Sequence, residues 1–276
     1  MGSLVVGTIY YGLMFILAGF FLLLALIFPK KAKGFFIAAG CIVVLFVIVI
    51  PLWARLSLKI MEIEEQPIKE AAEKRYNEAR AVFDEQCKKA GEKIYRTVDN
   101  VDGVMLLKVR QNKGWNKNDP MWEDAIIAAR EQAEHGYIAS FLQGWYTLNN
   151  KGYSFVDVLN EDGSVKRYLD YKNYGSFMQD QDGVIINPDN PARYAVTYEN
   201  NVDHELRKHW VAGTTIKIID RQTNELLAEK TIFAFARTMG TYSHGAWAMT
   251  RLDTCPDMEE LGQEFTAQFA MTVLKP

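Results

Sequence analysis

The chain has 276 residues, with 31 Lys and Arg against 34 Asp and Glu, a net charge of −3 and 49% hydrophobic residues. Basic residues are interspersed with acidic ones and form no stripe, which argues against nucleic acid as a partner. The average also hides a division, because the apolar residues of the first 55 positions are far denser than those that follow.

Residues 4–28 form a run of 25 positions without a charge, and residues 35–53 form another of 19. A helix crossing a bilayer needs about 20 such residues, and in hydrocarbon it satisfies its own backbone groups. The pattern predicts a transmembrane helical hairpin over residues 1–55. A cleaved signal peptide would need a basic start and small residues before the cut. Met1, Gly2 and Ser3 carry no side-chain charge, and Pro29, Lys30 and Lys31 stand where cleavage would fall.

Lys30, Lys31 and Lys33 occupy the short turn between the runs and favour the cytoplasmic side. Arg55, Lys59 and Lys69 pull against that orientation from beyond the second run. The expectation is a bacterial inner-membrane protein, with the lipid bilayer as one partner and residues 56–276 as a periplasmic soluble domain. Cys41 falls in the second apolar run, which leaves Cys87 and Cys255 in the soluble part. An oxidising compartment would allow them one disulfide, joining the first soluble helix to the start of the last. Two unrelated buried thiols are the alternative.

Residues 60–94 read as an amphipathic helix restarted at Pro67. Ile68, Ala72, Tyr76, Ala79 and Phe83 recur at helical spacing along one stripe. That stripe calls either for the chain's own sheet or for a second copy in a stalk. Beyond Gly91, short runs rich in Val, Ile, Tyr, Phe and Thr alternate with turn residues and predict strands at 104–110, 153–159, 165–171, 194–198, 214–220 and 226–236. The turns at 160–163 and 221–225 predict two hairpins. Asp119 followed by Pro120 signals a helix over 120–134. Leu261, Phe265, Phe269 and Val273 signal a last one from Pro256 or Asp257 onward. Strands grouped between helices predict an α+β domain with a mainly antiparallel sheet and a C-terminal helix.

Catalytic motifs are scarce. His204 and His209 are five residues apart, about 140° around a helix, whereas a zinc-protease helix needs a spacing of four. Asp180, Asp182 and Gly183 begin like a calcium loop, but Val184 and Pro191 stand where ligands are required. There is no nucleophile elbow, P-loop or dinucleotide turn. Ser243, His244 and Cys255 offer only a distant Cys and His. No cofactor or metal is expected.

Aromatic residues are frequent, and Tyr168, Tyr171, Tyr174 and Phe177 among polar neighbours form the candidate interaction patch. The sequence therefore points to a membrane-anchored envelope protein with a non-catalytic binding domain, of accessory, exclusion or immunity type. Its partner is another envelope protein or a second copy of itself. A membrane-anchored hydrolase and an oligomeric channel or sensor are the alternatives.

Overall fold

The computed structural model describes Phe20, Leu23 and residues 30–111, 119–129, 131–142, 152–169, 184–241, 247, 252–261 and 264–276. The protein is mixed α+β, and it divides into two compact units, Met1–Glu73 and Lys74–Pro276.

The first unit contains most of helix α1 (Lys30–Cys87), which takes in the whole second apolar run. Lys30, Lys31 and Lys33 thus lie within its first turn, not in a loop. Pro67 does not interrupt it, because proline removes one hydrogen bond while neighbours such as Glu65, Lys69, Glu70 and Ala71 favour helix. Among the described residues no helix is long and apolar enough to cross a membrane. The run at 4–28 lies outside the described residues except for Phe20 and Leu23.

In the second unit the end of α1 is a packing element. Ala79 and Phe83 are buried, and the rings of Tyr76 and Phe83 each lie 5.7 Å from that of Phe235. The predicted stripe is therefore split, since Ile68 and Ala72 remain exposed. The helix stops at Cys87 instead of reaching 94. Gly91 adopts φ +125°, which side-chain-bearing residues rarely do, and the chain turns into a strand there.

The sheet contains β1 (Gly91–Ile94), β2 (Gly103–Leu106), β3 (Phe155–Leu159), β4 (Val165–Leu169), β5 (Val184–Ile186), β6 (Tyr194–Asn201), β7 (Val211–Asp220), β8 (Glu225–Ala236) and β9 (Leu252–Cys255). Their order is β1-β8-β7-β6-β2-β3-β4-β5, with β9 also on β8. Both predicted hairpins form: β3 pairs with β4, and β7 with β8. The sheet is less uniformly antiparallel than expected, because β2 runs parallel to both β3 and β6. All four residues of β2 are buried, as suits a strand covered on both faces.

Two predicted helices change form. Asp119 Oδ1 accepts from the Met121 amide at 2.8 Å, yet the following residues form a 3-10 helix at Ala125–Ala129 and then α2 (Glu134–Ala139). Helix α3 (His204–Lys208) is capped by Asp203, whose Oδ1 accepts from the Glu205 amide at 2.7 Å. The last predicted helix divides into α4 (Met258–Leu261) and α5 (Phe265–Val273), where Glu264 sits at φ +57°. Phe265, Phe269 and Val273 are buried in the main core, as their spacing predicts.

Cys87 and Cys255 lie at bonding distance, with Cα atoms 5.5 Å apart and a sequence separation of 168. The pair joins the end of α1 to the end of β9. A bond closing so long a loop removes much freedom from the unfolded chain. Replacing both cysteines with serine is expected to lower unfolding stability by about 2–5 kcal/mol. Urea denaturation of the variant and of the oxidised and reduced native chain checks this, the reduced chain behaving like the variant.

Candidate functional site

Strands β6, β2 and β3 are adjacent and parallel, so their carboxyl ends emerge along one side of the sheet. In open sheets containing parallel strands this is where ligand clefts form, because the chain must leave each strand there. A cleft of about 1040 Å³ occupies that position. Lys108 and Val109 follow β2, Leu159 ends β3 with Asn160 and Glu161 after it, and Tyr198 and Asn200 come from the end of β6. Trp122, Glu123 and Asp124 precede the 3-10 helix, while Glu134, His135 and Ile138 belong to α2.

One wall rests on Arg110, whose side chain is completely buried. Its Nη1 donates to Asn200 Oδ1 at 2.8 Å and to Asp124 Oδ1 at 3.4 Å, and its Nη2 donates to Thr214 Oγ1 at 3.0 Å. The guanidinium also lies 3.7 Å from the centre of the Tyr198 ring. Asn200 Nδ2 donates to the same Asp124 oxygen at 2.6 Å, so the carboxylate is held by two partners. The Tyr198 hydroxyl donates to the Val109 carbonyl at 3.2 Å. Burial pushes that phenol up to about 12, helped by Asp124 and opposed by Arg110.

The backbone of Glu134 is held in a left-handed conformation, φ +53°, and its amide donates to the Arg110 carbonyl at 2.7 Å. Such a conformation is costly for a residue with a side chain and persists only where its surroundings enforce it. Glu131 lies behind this segment, buried, and accepts from the amide and hydroxyl of Thr266. Desolvation raises its carboxyl from an ordinary 4.5 to about 6, against the attraction of Arg110 and the Thr266 hydrogen bonds. Arg207 is also buried, and burial lowers it to about 10 against the pull of Asp119 and Asp124. Its Nη2 reaches the Glu123 carbonyl at 3.4 Å, and its guanidinium lies 5.6 Å from the Trp247 ring centre.

Charges in the cleft are unevenly met. Among the described residues the side chains of Glu123, Glu134 and Glu161 are exposed and form no ion pair. Lys108 is the one Lys or Arg among the described residues lining the cleft, and its Nζ lies 5.8 Å from the Tyr198 ring centre. Buried Trp122 and Tyr198 and half-buried Tyr168 line the cleft beside these carboxylates. Among the described residues no group of three or more His, Cys, Asp or Glu is placed to hold a metal ion.

Of the candidate patch, Tyr168 lies in β4, lines this cleft and is half-buried against the core. Tyr171, Tyr174 and Phe177 fall outside the described residues. His204 and His209 stand at the two ends of α3 and do not converge on the cleft. Sequence reading missed Arg110 and its partners, because they come from four separate segments. Comparison with protein-family models, curated proteins and solved structures found no match.

The Glu131 shift gives a pH dependence. A folded value above the unfolded one means that folding takes up a proton, so stability is fully present below 4.5 and falls as pH rises through about 6. The loss is about 2 kcal/mol at most. Glu131→Gln is expected to flatten that slope, which urea midpoints measured between pH 4 and pH 7.5 would reveal. A slope unchanged by the substitution would assign it elsewhere.

Proposed function

We propose that this protein is a membrane-anchored binding protein of the bacterial envelope, whose domain takes a partner carrying cationic groups into the cleft beside Arg110. The observation that carries the reading is the cleft itself. It stands at the carboxyl ends of parallel strands, is braced by a buried polar cluster, and presents Glu123, Glu134 and Glu161 without ion-pair partners among the described residues. Ammonium and guanidinium groups pair with such carboxylates.

Anchoring rests on residues 4–28 and 35–53, each about long enough to cross a bilayer. The second lies within helix α1, and the lysines at its start favour the cytoplasmic side. The Cys87–Cys255 pair supports an oxidising compartment for the domain. A phosphatase fused after Pro276 is expected to be active in intact bacterial cells, and activity of a cytoplasmic reporter alone would reverse the orientation.

The cleft is tested separately. The full chain in detergent micelles is titrated with trilysine, with spermidine and with triglutamate by calorimetry. Binding of a cationic probe is expected, with affinity about tenfold weaker when Glu123, Glu134 and Glu161 are all changed to Gln. Equal binding of triglutamate, or no effect of the substitutions, would overturn the reading.

A further inference from the structure

Glu131 is a carboxyl only 4% exposed that forms no ion pair among the described residues. Its Oε2 accepts from the amide and hydroxyl of Thr266, and its Oε1 has no hydrogen-bond partner. Arg110 attracts it from beyond ion-pair distance, with both Nη atoms already committed to Asp124, Asn200 and Thr214 and its Nε unpartnered. The other titratable groups around Glu131 are the phenol of Tyr137 in α2, the phenol of Tyr198 in β6, and Glu264, two residues before Thr266 at the start of α5. A carboxylate gripped by a guanidinium is neutralised where it stands. Ionised Glu131 is not, because the nearest cation is shared with Asp124.

That charge lies close behind the cleft. Glu134, three residues further on, lines the cleft with His135 and Ile138, and three residues of chain span at most about 11 Å. Tyr198 lines it from the other side, with the completely buried Arg110 guanidinium 3.7 Å from its ring centre, and the Tyr198 phenol itself feels the charge of Glu131. Salt screens charges buried in protein far less than charges on the surface, so a change of one charge at Glu131 is felt by a cation held in the cleft.

We propose that Glu131 is the proton-linked control of cation binding in the cleft: losing its proton strengthens the hold on a cationic ligand, and taking the proton up loosens it. The proposal rests on the reading of the cleft as a cation site. Burial raises the Glu131 carboxyl, and a cation in the cleft lowers it again, so binding drives a proton off. Glu131 touches no ligand and acts through the field it sets behind the wall. His135 works in the same direction, since an imidazole on the cleft wall gains positive charge in acid. The two contributions separate by substitution.

The test titrates the full chain in detergent micelles with N-acetyl-trilysine amide, whose ammonium groups stay charged throughout, by calorimetry from pH 5 to pH 7.5. That range brackets the Glu131 value of about 6. In the His135→Gln chain, affinity is expected to rise about fivefold with pH. A fraction of a proton is expected to be released at pH 6, read from how the binding heat varies with buffer ionisation enthalpy. With Glu131→Gln added, the rise and the proton release are both expected to disappear. The same rise and release in both chains would overturn the proposal and leave the cation reading standing, whereas no binding of the probe at any pH would overturn both. If urea midpoints show that the Glu131→Gln chain is not folded, the carbon-13 titration of the Glu131 carboxyl in the His135→Gln chain decides instead. It is expected to move to lower pH under saturating probe, and a titration that stays in place overturns the proposal.

Discussion

A guanidinium with no exposure to water has to be met by the protein, and Arg110 organises the second unit through the groups that meet it. Asn200 ends β6, Thr214 lies in β7, and Asp124 opens the 3-10 helix, so one side chain connects two strands to the segment that crosses between β2 and β3. Tyr198 covers the flat face. Removing one member of such a cluster strands the others, at a cost of about 3–5 kcal/mol, which is why the segment follows the cluster over its own preferences. The cleft is a consequence. Its wall stays open because Asp124 and Asn200 are drawn back toward Arg110, leaving Glu123 and Glu134 facing outward.

The sheet imposes the second constraint. Parallel strands need a long crossover, and the passage from β2 to β3 supplies it with the 3-10 helix and α2. Antiparallel β6, β7 and β8 then extend the sheet and carry the broad face on which the end of α1 and α5 pack, around Phe235, Phe269 and Phe83. Arg167 stacks on Phe155 at 3.8 Å and grips buried Asp157 on the neighbouring strand through bonds of 2.7 and 2.9 Å. Gly103 lies opposite that same Phe155, where a Cβ would meet the ring at 2.4 Å, so only glycine fits.

What the sequence disclosed follows from whether the cause was local. Hairpins with polar turns, the spacing of Phe265, Phe269 and Val273, and a cysteine pair in one domain each carry their signal within a few residues or a single chemical type. The helix expected after Asp119 and Pro120 shows the opposite. Its start signal was sound, since Asp119 accepts from the Met121 amide, but Asp124 answers to Arg110 and Asn200 instead of to the helix. The parallel pairing of β2 left one local trace that alternation-based reading passes over. Val104, Met105, Leu106 and Leu107 form an unbroken apolar run, as a strand covered on both faces requires. Arg110 left none, because a lone arginine at a strand end looks like any surface residue until its four partners are brought together.

The treatment of acidic side chains separates what the chain completes by itself from what it leaves for others. Asp157 accepts two bonds from Arg167 and one from the Ala192 amide, and Asp220 accepts from Arg193 and the Gln222 amide with Arg96 nearby. Those pairings hold Asp220 below the ordinary carboxylate range, the Arg193 hydrogen bond contributing most. Buried Glu131 is met less fully, its Oε2 accepting from Thr266 while its Oε1 has no partner. Glu123, Glu134 and Glu161 stand exposed around the cleft. Exposed acids without an ion pair among the described residues occur elsewhere too, as at Glu62, Glu73, Glu78 and Asp102, where water solvates them. An exposed carboxylate is hydrated and costs an isolated chain little, so the acids of the cleft stay available to a cation while Asp157 and Asp220 are committed to the fold.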